Sequence, residues 1–307
     1  MIRVASVGEC MLELTHRDER TLALGFAGDT FNTAAYLVRT AGPAPLHVDY
    51  LTAVGDDWYS DELLRAIEAE GVGTRAVRRI AGRTPGAYFV RTAPDGERSF
   101  TYHRSQAAAR ELFDEAEGEA VAAALAGYDL VYLSAITLQI LAPGARERLW
   151  AALEALRTAG GRVAFDSNYR PAAWPSASAA REAIERTWRM TDIALPTLPD
   201  ERALFGDVDA PACAARLAAW GAGEVAVKDG AAGCLLRHRD GDRLVPAERV
   251  ERVVDTTAAG DSFNGGYLAA RLAGAAPEAA ARAGHRVAAE VIGRPGAGLS
   301  APRTAVA

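Results

Sequence analysis

Short β-branched or apolar runs alternate along this chain with longer alanine- and leucine-rich segments of helical period, and that alternation most narrowly limits its fold. The runs "IRVASVG" (2–8), "HVDYLTAVG" (47–55), "YDLVYLSA" (128–135), "GRVAFDSN" (161–168), "TDIALPT" (191–197) and "GEVAVKDG" (223–230) read as strands. "FNTAAYLVRTAG" (31–42), stopped by Gly42-Pro43, and "WYSDELLRAIEAEG" (58–71), ending at Gly71, read as helices. Strands separated by helices in this way predict an α/β fold of three layers, α/β/α, around a mainly parallel central sheet.

One stretch breaks the pattern. In "TPGAYFVRTAPDGERSFTYHR" (84–104), two alternating runs flank Pro94-Asp95-Gly96, a hairpin signal. Tyr88, Val90 and Thr92 share one face, and Phe100 and Tyr102 continue it on the returning strand. "CMLELTHR" (10–17) is a further strand-like run. These predict a small accessory β sheet, from about 10–25 and 74–104, standing as a lid on one domain that spans 1–307. No Pro/Ser-rich linker and no repeat argues for a second domain. The lid strands offer edges of the kind that pair between subunits, so a homo-oligomer is expected.

Composition narrows the partners. A formal charge of −6 gives no support for a nucleic-acid or membrane surface, and no apolar run reaches the length of a bilayer span. The three cysteines, Cys10, Cys213 and Cys234, are far apart and odd in number, so they read as reduced thiols of a cytoplasmic protein. The five histidines lack ligand spacing. Lys228 is the only lysine, so arginine abundance by itself means little.

Near the C-terminus the chain reads "VVDTTAAGDSFNGGYLAARL" (253–272), a β-branched run that breaks into small residues before a helical pattern. Asp261 stands at the helix entrance. Helix capping explains an acid there, and so does general-base chemistry. No lysine follows a glycine, which excludes a P-loop, and "VGECMLEL" does not supply a dinucleotide fingerprint. Residues 258–260 are small enough for a ligand to approach helix-entry N–H groups, an anion site suited to phosphoryl transfer.

"DTTAAGDSFNGGY" (255–267) resembles the C-terminal signature of the ribokinase-like, or phosphofructokinase-B, sugar kinases. That resemblance implies that Asp261 is the catalytic base and that the amides of Ala258, Ala259 and Gly260 form the anion hole. "FAGDTFNTAAYLVR" (26–39) resembles the family's sugar-binding motif, with Asp29 and Asn32 bonding hydroxyls and Gly28 allowing close approach. Asp29 also suits an N-cap for a helix beginning near Phe31. "GEC" (8–10), "GDTFNTA", "TYHRSQAAA" (101–109) and "DSNYRP" (166–171) are similar to 2-keto-3-deoxygluconate kinases, and the match extends from residue 2 to about 300. The implied fold is ribokinase-like with a small β-sheet lid. The implied reaction is ATP-dependent phosphorylation of the C6 hydroxyl of 2-keto-3-deoxygluconate, with a fructokinase or another ketose kinase as the alternative.

A sugar acid needs a cationic partner. Arg104, closing the lid hairpin, and Arg170, after a strand end, are the candidates, because arginine binds carboxylates bidentately. Tyr88 and Tyr102 would bond substrate oxygens or simply pack in the lid. The resemblance places Asn168 and Arg170 near the ATP phosphates, and Lys228, Gly230 and Gly233 beside the nucleotide. His285 falls near the adenine edge. Lys228 suits a salt bridge equally well, and His285 suits helix packing. Mg2+ is expected, held mainly by phosphates and water. Many relatives carry Asn-x-x-Glu after the sixth strand. Here Leu198 stands in the Asn position, leaving Glu201 or its neighbour Asp200 to act on the metal through water. A monovalent cation around Asp255, Thr257 and Gly296 is a further implication that the sequence leaves open.

Overall fold

A computed structural model describes residues 1–42, 45–92 and 98–298. Strands β1 (Ile2–Val7), β2 (Met11–His16) and β3 (Leu22–Ala27) lead into helix α1 (Asp29–Thr40). β4 (Leu46–Leu51), β5 (Ala53–Val54), α2 (Trp58–Ala69), β6 (Arg78–Arg79), β7 (Ala87–Thr92) and β8 (Arg98–His103) follow. Then come α3 (Glu115–Ala124), β9 (Leu130–Ser134), α4 (Ala135–Ile140), α5 (Pro143–Thr158), β10 (Arg162–Asp166) and α6 (Ala177–Trp188). The chain continues through β11 (Ile193–Ala194), α7 (Leu198–Phe205), α8 (Ala210–Ala219) and β12 (Glu224–Lys228). It closes with β13 (Cys234–His238), β14 (Gly241–Val245), α9 (Ala259–Leu272) and α10 (Pro277–Ile292).

The main sheet has the order β14-β13-β12-β11-β10-β9-β1-β4, with β12 to β4 parallel and the β13–β14 hairpin antiparallel at one edge. Its strands alternate between two buried cores, one on each face. Val131, Leu133, Val163, Phe165, Val225 and Val227 point into one. Leu130, Tyr132, Ala164 and Ala226 point into the other, among α1, α9 and α10. Apolar side chains on both faces are what a sheet needs when helices cover it twice.

The second sheet runs β3-β2-β7-β8, with β2 parallel to β7 and the other pairs antiparallel. The Pro94-Asp95-Gly96 turn lies outside the described residues, while β7 and β8 pair up to Thr92 and Arg98 on either side of it. Two features differ from the sequence reading. The run 191–197 yields only the two residues of β11; Leu195 N–H still bonds Phe165 O at 2.9 Å, and Pro196 has no N–H to continue the ladder. The hairpin of β13 and β14 is unanticipated. All three cysteines are buried and free, and no helix among the described residues is long and apolar enough to cross a membrane.

Helices α1 and α9 cross closely at Gly265. A Cβ there would stand 2.6 Å from Tyr36 Cβ and 2.8 Å from both Leu37 N and Thr33 O. These are mostly main-chain atoms that cannot swing away, so overpacking outweighs the helix propensity gained with alanine. Gly265→Ala is therefore expected to cost about 1–3 kcal/mol of stability, measured as a lowered midpoint in thermal or urea unfolding.

Candidate active site

The order of strand addition reverses between β1 and β9, and in open α/β sheets ligands bind outside the carboxyl ends of the strands at such a point. A cavity of about 1890 Å³ opens there. Residues at or just past strand ends line it: Glu9 after β1, Asp166 at the end of β10, and Lys228 at the end of β12.

Helices α1 and α9 supply one wall. Asn32 Nδ2 donates to Asp261 Oδ2 at 2.8 Å, and Thr33 Oγ1 lies 3.2 Å from the Asp261 carbonyl oxygen. Asn32 lines the cavity, and its Oδ1 is buried without a partner among the described residues. Asp29 is the first residue of α1, and its side chain does not cap the helix. Instead its Oδ2 accepts from Asn168 Nδ2 at 2.7 Å. Gly28 answers a different need from the one read in sequence. A Cβ there would meet Glu9 O at 2.1 Å, so the glycine admits neighbouring main chain, and it also lines the cavity.

Burial pushes the Asp261 carboxyl up to about 7, the negative charges of Asp29 and Asp166 add to the rise, and the Asn32 hydrogen bond and Lys228 oppose it. Ala258 precedes it in a left-handed conformation, φ 60°, as the N-cap of α9. Of the three amides read as an anion hole, Ala259 N–H is turned to Thr256 O at 3.2 Å, whereas Ala258 and Gly260 N–H, and that of Asp261, have no main-chain acceptor among the described residues.

Below this wall a buried network joins three segments. Lys228 Nζ donates to Asp166 Oδ2 at 2.7 Å and to Asn264 Oδ1 at 2.9 Å, and Asn264 Nδ2 donates to Asp166 Oδ2 at 2.6 Å. Lys228 lines the cavity with its charge already paired. The sequence offered Lys228 as either contact or ion pair; the ion pair forms, and its Nζ would lie 3.7 Å from a Cβ on Gly260. Asp166 and Asn264 are functional neighbours that sequence reasoning left unassigned. An acid ending an apolar strand was the available signal for Asp166.

The small sheet forms the opposite wall with Met11, Tyr88, Phe100, Tyr102 and Arg104. Tyr88 is buried and donates to Glu13 Oε2, while Tyr102 is half exposed. Arg104 Nη2 bonds Glu9 Oε2. Arg170 is largely exposed and stands 4.0 Å from Asp200. Gly230, Gly233, Val250, Ala288 and Ile292 also line the cavity, as does His285. His285 packs edge-on against Phe263, its Nε2 is buried without a partner, and burial lowers its pKa. Gly233, at φ 102°, is held where a Cβ would meet Val245 O at 2.3 Å.

Two metal expectations need correction. Glu201 does not line the cavity: it is fully buried and bonds Arg216, which also holds Asp207. Glu201, Asp207 and Cys213 are close enough together to chelate an ion, but the Arg216 guanidinium already neutralises them. Asp200 does line the cavity and accepts one main-chain bond, from Tyr169 N at 3.2 Å, so it fits a water-held cation. Leu198 is core. Around Asp255, the carboxylate accepts from Arg98, Thr257 N at 2.9 Å and Gly296 N at 2.8 Å, and Arg98 also reaches Thr257 Oγ1 at 2.6 Å. A guanidinium thus stands where a monovalent cation was implied, and the donor set does not fit both.

Comparison with known proteins places this arrangement. Residues 1–304 match the description "pfkB family carbohydrate kinase". A 2-dehydro-3-deoxygluconokinase of Escherichia coli (strain K12) is 43% identical over 294 residues, covering 94% of each chain. One of Haemophilus influenzae is 36% identical over 300 residues, covering 97% of this chain and 95% of its own. The crystal structure of a PfkB protein from Polaromonas sp. JS666 superposes with a TM-score of 0.83 at 28% identity, covering 96% of this chain and 97% of that one.

The raised Asp261 pKa has a sign that can be tested. Folding lifts this carboxyl from its ordinary 3.8 to about 7, so the native state is penalised fully above pH 7 and the penalty disappears as pH falls towards 4. Asp261→Asn is expected to raise the thermal unfolding midpoint at pH 8, with the gain shrinking by pH 5. An equal change at both values would contradict it.

Proposed function

The chain belongs to the pfkB family of carbohydrate kinases, and we propose that it is an ATP-dependent kinase that phosphorylates the C6 hydroxyl of 2-keto-3-deoxygluconate. The products are 2-keto-3-deoxy-6-phosphogluconate and ADP. One observation carries the reading most: a carboxylate pushed up to about 7 shares a single cavity with Arg104 and Arg170. A base poised near neutrality faces the acceptor hydroxyl, and cations are present for a substrate carboxylate. The names of the Escherichia coli and Haemophilus influenzae relatives support the same substrate.

In the proposed reaction Asp261 accepts the C6 hydroxyl proton as that oxygen bonds the γ-phosphorus and the bond to the ADP oxygen breaks. Asn32 holds the carboxylate in place. Asp29 and Asn32 Oδ1 accept from sugar hydroxyls, and Tyr88 and Tyr102 flank the sugar. Ala258, Gly260 and Asp261 N–H meet negative charge on the migrating group. Asn168 and Arg170 face the ATP phosphates, and His285 marks the adenine end. When bound, Mg2+ supplies neutralisation of phosphate charge, with Asp200 as the carboxylate nearest that role. The small sheet acts as a lid that excludes competing water, and its edges, β3 and β8, offer pairing surfaces for a homo-oligomer. A fructokinase-like ketose kinase is the second reading. It is favoured by the Glu9–Arg104 pair, which leaves less free positive charge for an acid.

Coupled ADP-release assays across acid and neutral sugars test this. The keto-deoxy acid is expected to give the highest kcat/KM, and strong turnover of fructose with none of the acid would overturn the substrate. Asp261→Asn is expected to lower kcat on the order of 10²–10⁴-fold while leaving ATP binding intact. For the wild type, kcat should rise with pH through about 7 as Asp261 loses its proton.

A further inference from the structure

Glu9 follows β1 and Gly8 at the floor of the cavity and is only 2% exposed. One of its oxygens, Oε2, bonds Arg104 Nη2. The other, Oε1, is buried with no partner among the described residues, and Gly86 leaves it room, since a Cβ there would stand 2.5 Å away. Arg104 Nε is likewise buried and unpartnered. Both residues line the cavity beside Gly28, Asp29 and Asn32. A buried carboxylate oxygen without a donor is costly, and the cost is relieved when a ligand brings one.

We propose that Glu9 is a specificity-determining residue: Oε2 fixes the Arg104 guanidinium, and Oε1 accepts a hydrogen bond from a substrate hydroxyl. This rests on the sugar-acid reading above. The Glu9–Arg104 pair presents an acceptor and donors side by side with little net charge. It therefore selects a substrate that brings a hydroxyl beside an oxygen able to accept from the guanidinium, and a bare anion does not satisfy it. Glu9 is also held partly against ionisation by burial, with Arg104 opposing that effect.

The test is steady-state kinetics of Glu9→Gln, Arg104→Ala and the double variant, on whichever sugar the wild type turns over best. Establishing that sugar first separates failure of the substrate reading from failure of this proposal. Glu9→Gln keeps the shape but turns an acceptor into a donor. It is expected to raise the sugar KM by about 10- to 100-fold, the worth of one hydrogen bond to a charged group, with KM for ATP and kcat little changed. The double variant should be worse than Arg104→Ala alone, because Oε1 acts directly on the substrate. A sugar KM unaltered in Glu9→Gln, or a double variant no worse than Arg104→Ala, overturns the proposal. Should Glu9→Gln unfold, Glu9→Asp, which keeps the charge but withdraws the oxygens by one methylene, is read by the same two criteria.

Discussion

Gly265 brings α9 against the backbone of α1, and one turn away Asn32 reaches across the same crossing to hold Asp261. Asp261 and Gly265 share a face of α9, as Asn32 and Tyr36 share a face of α1, because residues four apart stack on a helix. The packing contact and the chemical contact are therefore one assembly. Asp29 and Asn32, the candidate sugar partners, ride on one helix, and the candidate base and phosphate amides ride on the other. A shift in that crossing would move both together, which is why a glycine is needed in a helix interior that would otherwise favour alanine.

Electrostatics completes the arrangement. Lys228 and Asp166 neutralise each other in the buried floor, with Asn264 bonding both. Such a pair contributes little net stability, and it holds Lys228 against Asp166 and Asn264. Burial, with the nearby charges of Asp29 and Asp166, raises the proton affinity of Asp261 against the Asn32 hydrogen bond and Lys228. Across the cavity Arg98 joins the small sheet to Asp255 and Thr257, immediately before the α9 entrance. The small sheet thus touches the loop that leads into α9 as well as lining the cavity.

The layers of the fold were readable because two-sided burial leaves unmistakable apolar runs, as in "VYLS" and "VAFD". The β13–β14 hairpin was not, since Arg237 to Arg243 is charged enough to pass for loop. In the site, the contiguous motifs were legible: Asp261 with its small neighbours, and Asp29 with Asn32. Ion pairs between remote segments were not. Glu9 and Arg104 are 95 residues apart, Asp166 and Lys228 are 62 apart, and Arg98 and Asp255 are 157 apart. Sequence spacing says nothing about partners that only the folded chain brings together. Glu201 shows the converse: its place in the Asn-x-x-Glu spacing suggested the metal shell, but successive helix residues point in different directions, and it turned inward to Arg216 while Asp200 lines the cavity.

A crystal structure with 2-keto-3-deoxygluconate and an unreactive ATP analogue examines the whole assignment at once. The terminal hydroxyl should lie within hydrogen-bond distance of Asp261, with the γ-phosphate at the α9 entrance and the substrate carboxylate against Arg104 or Arg170. A sugar acid bound with its carboxylate towards Asp261, or with its terminal hydroxyl away from α9, would contradict the account.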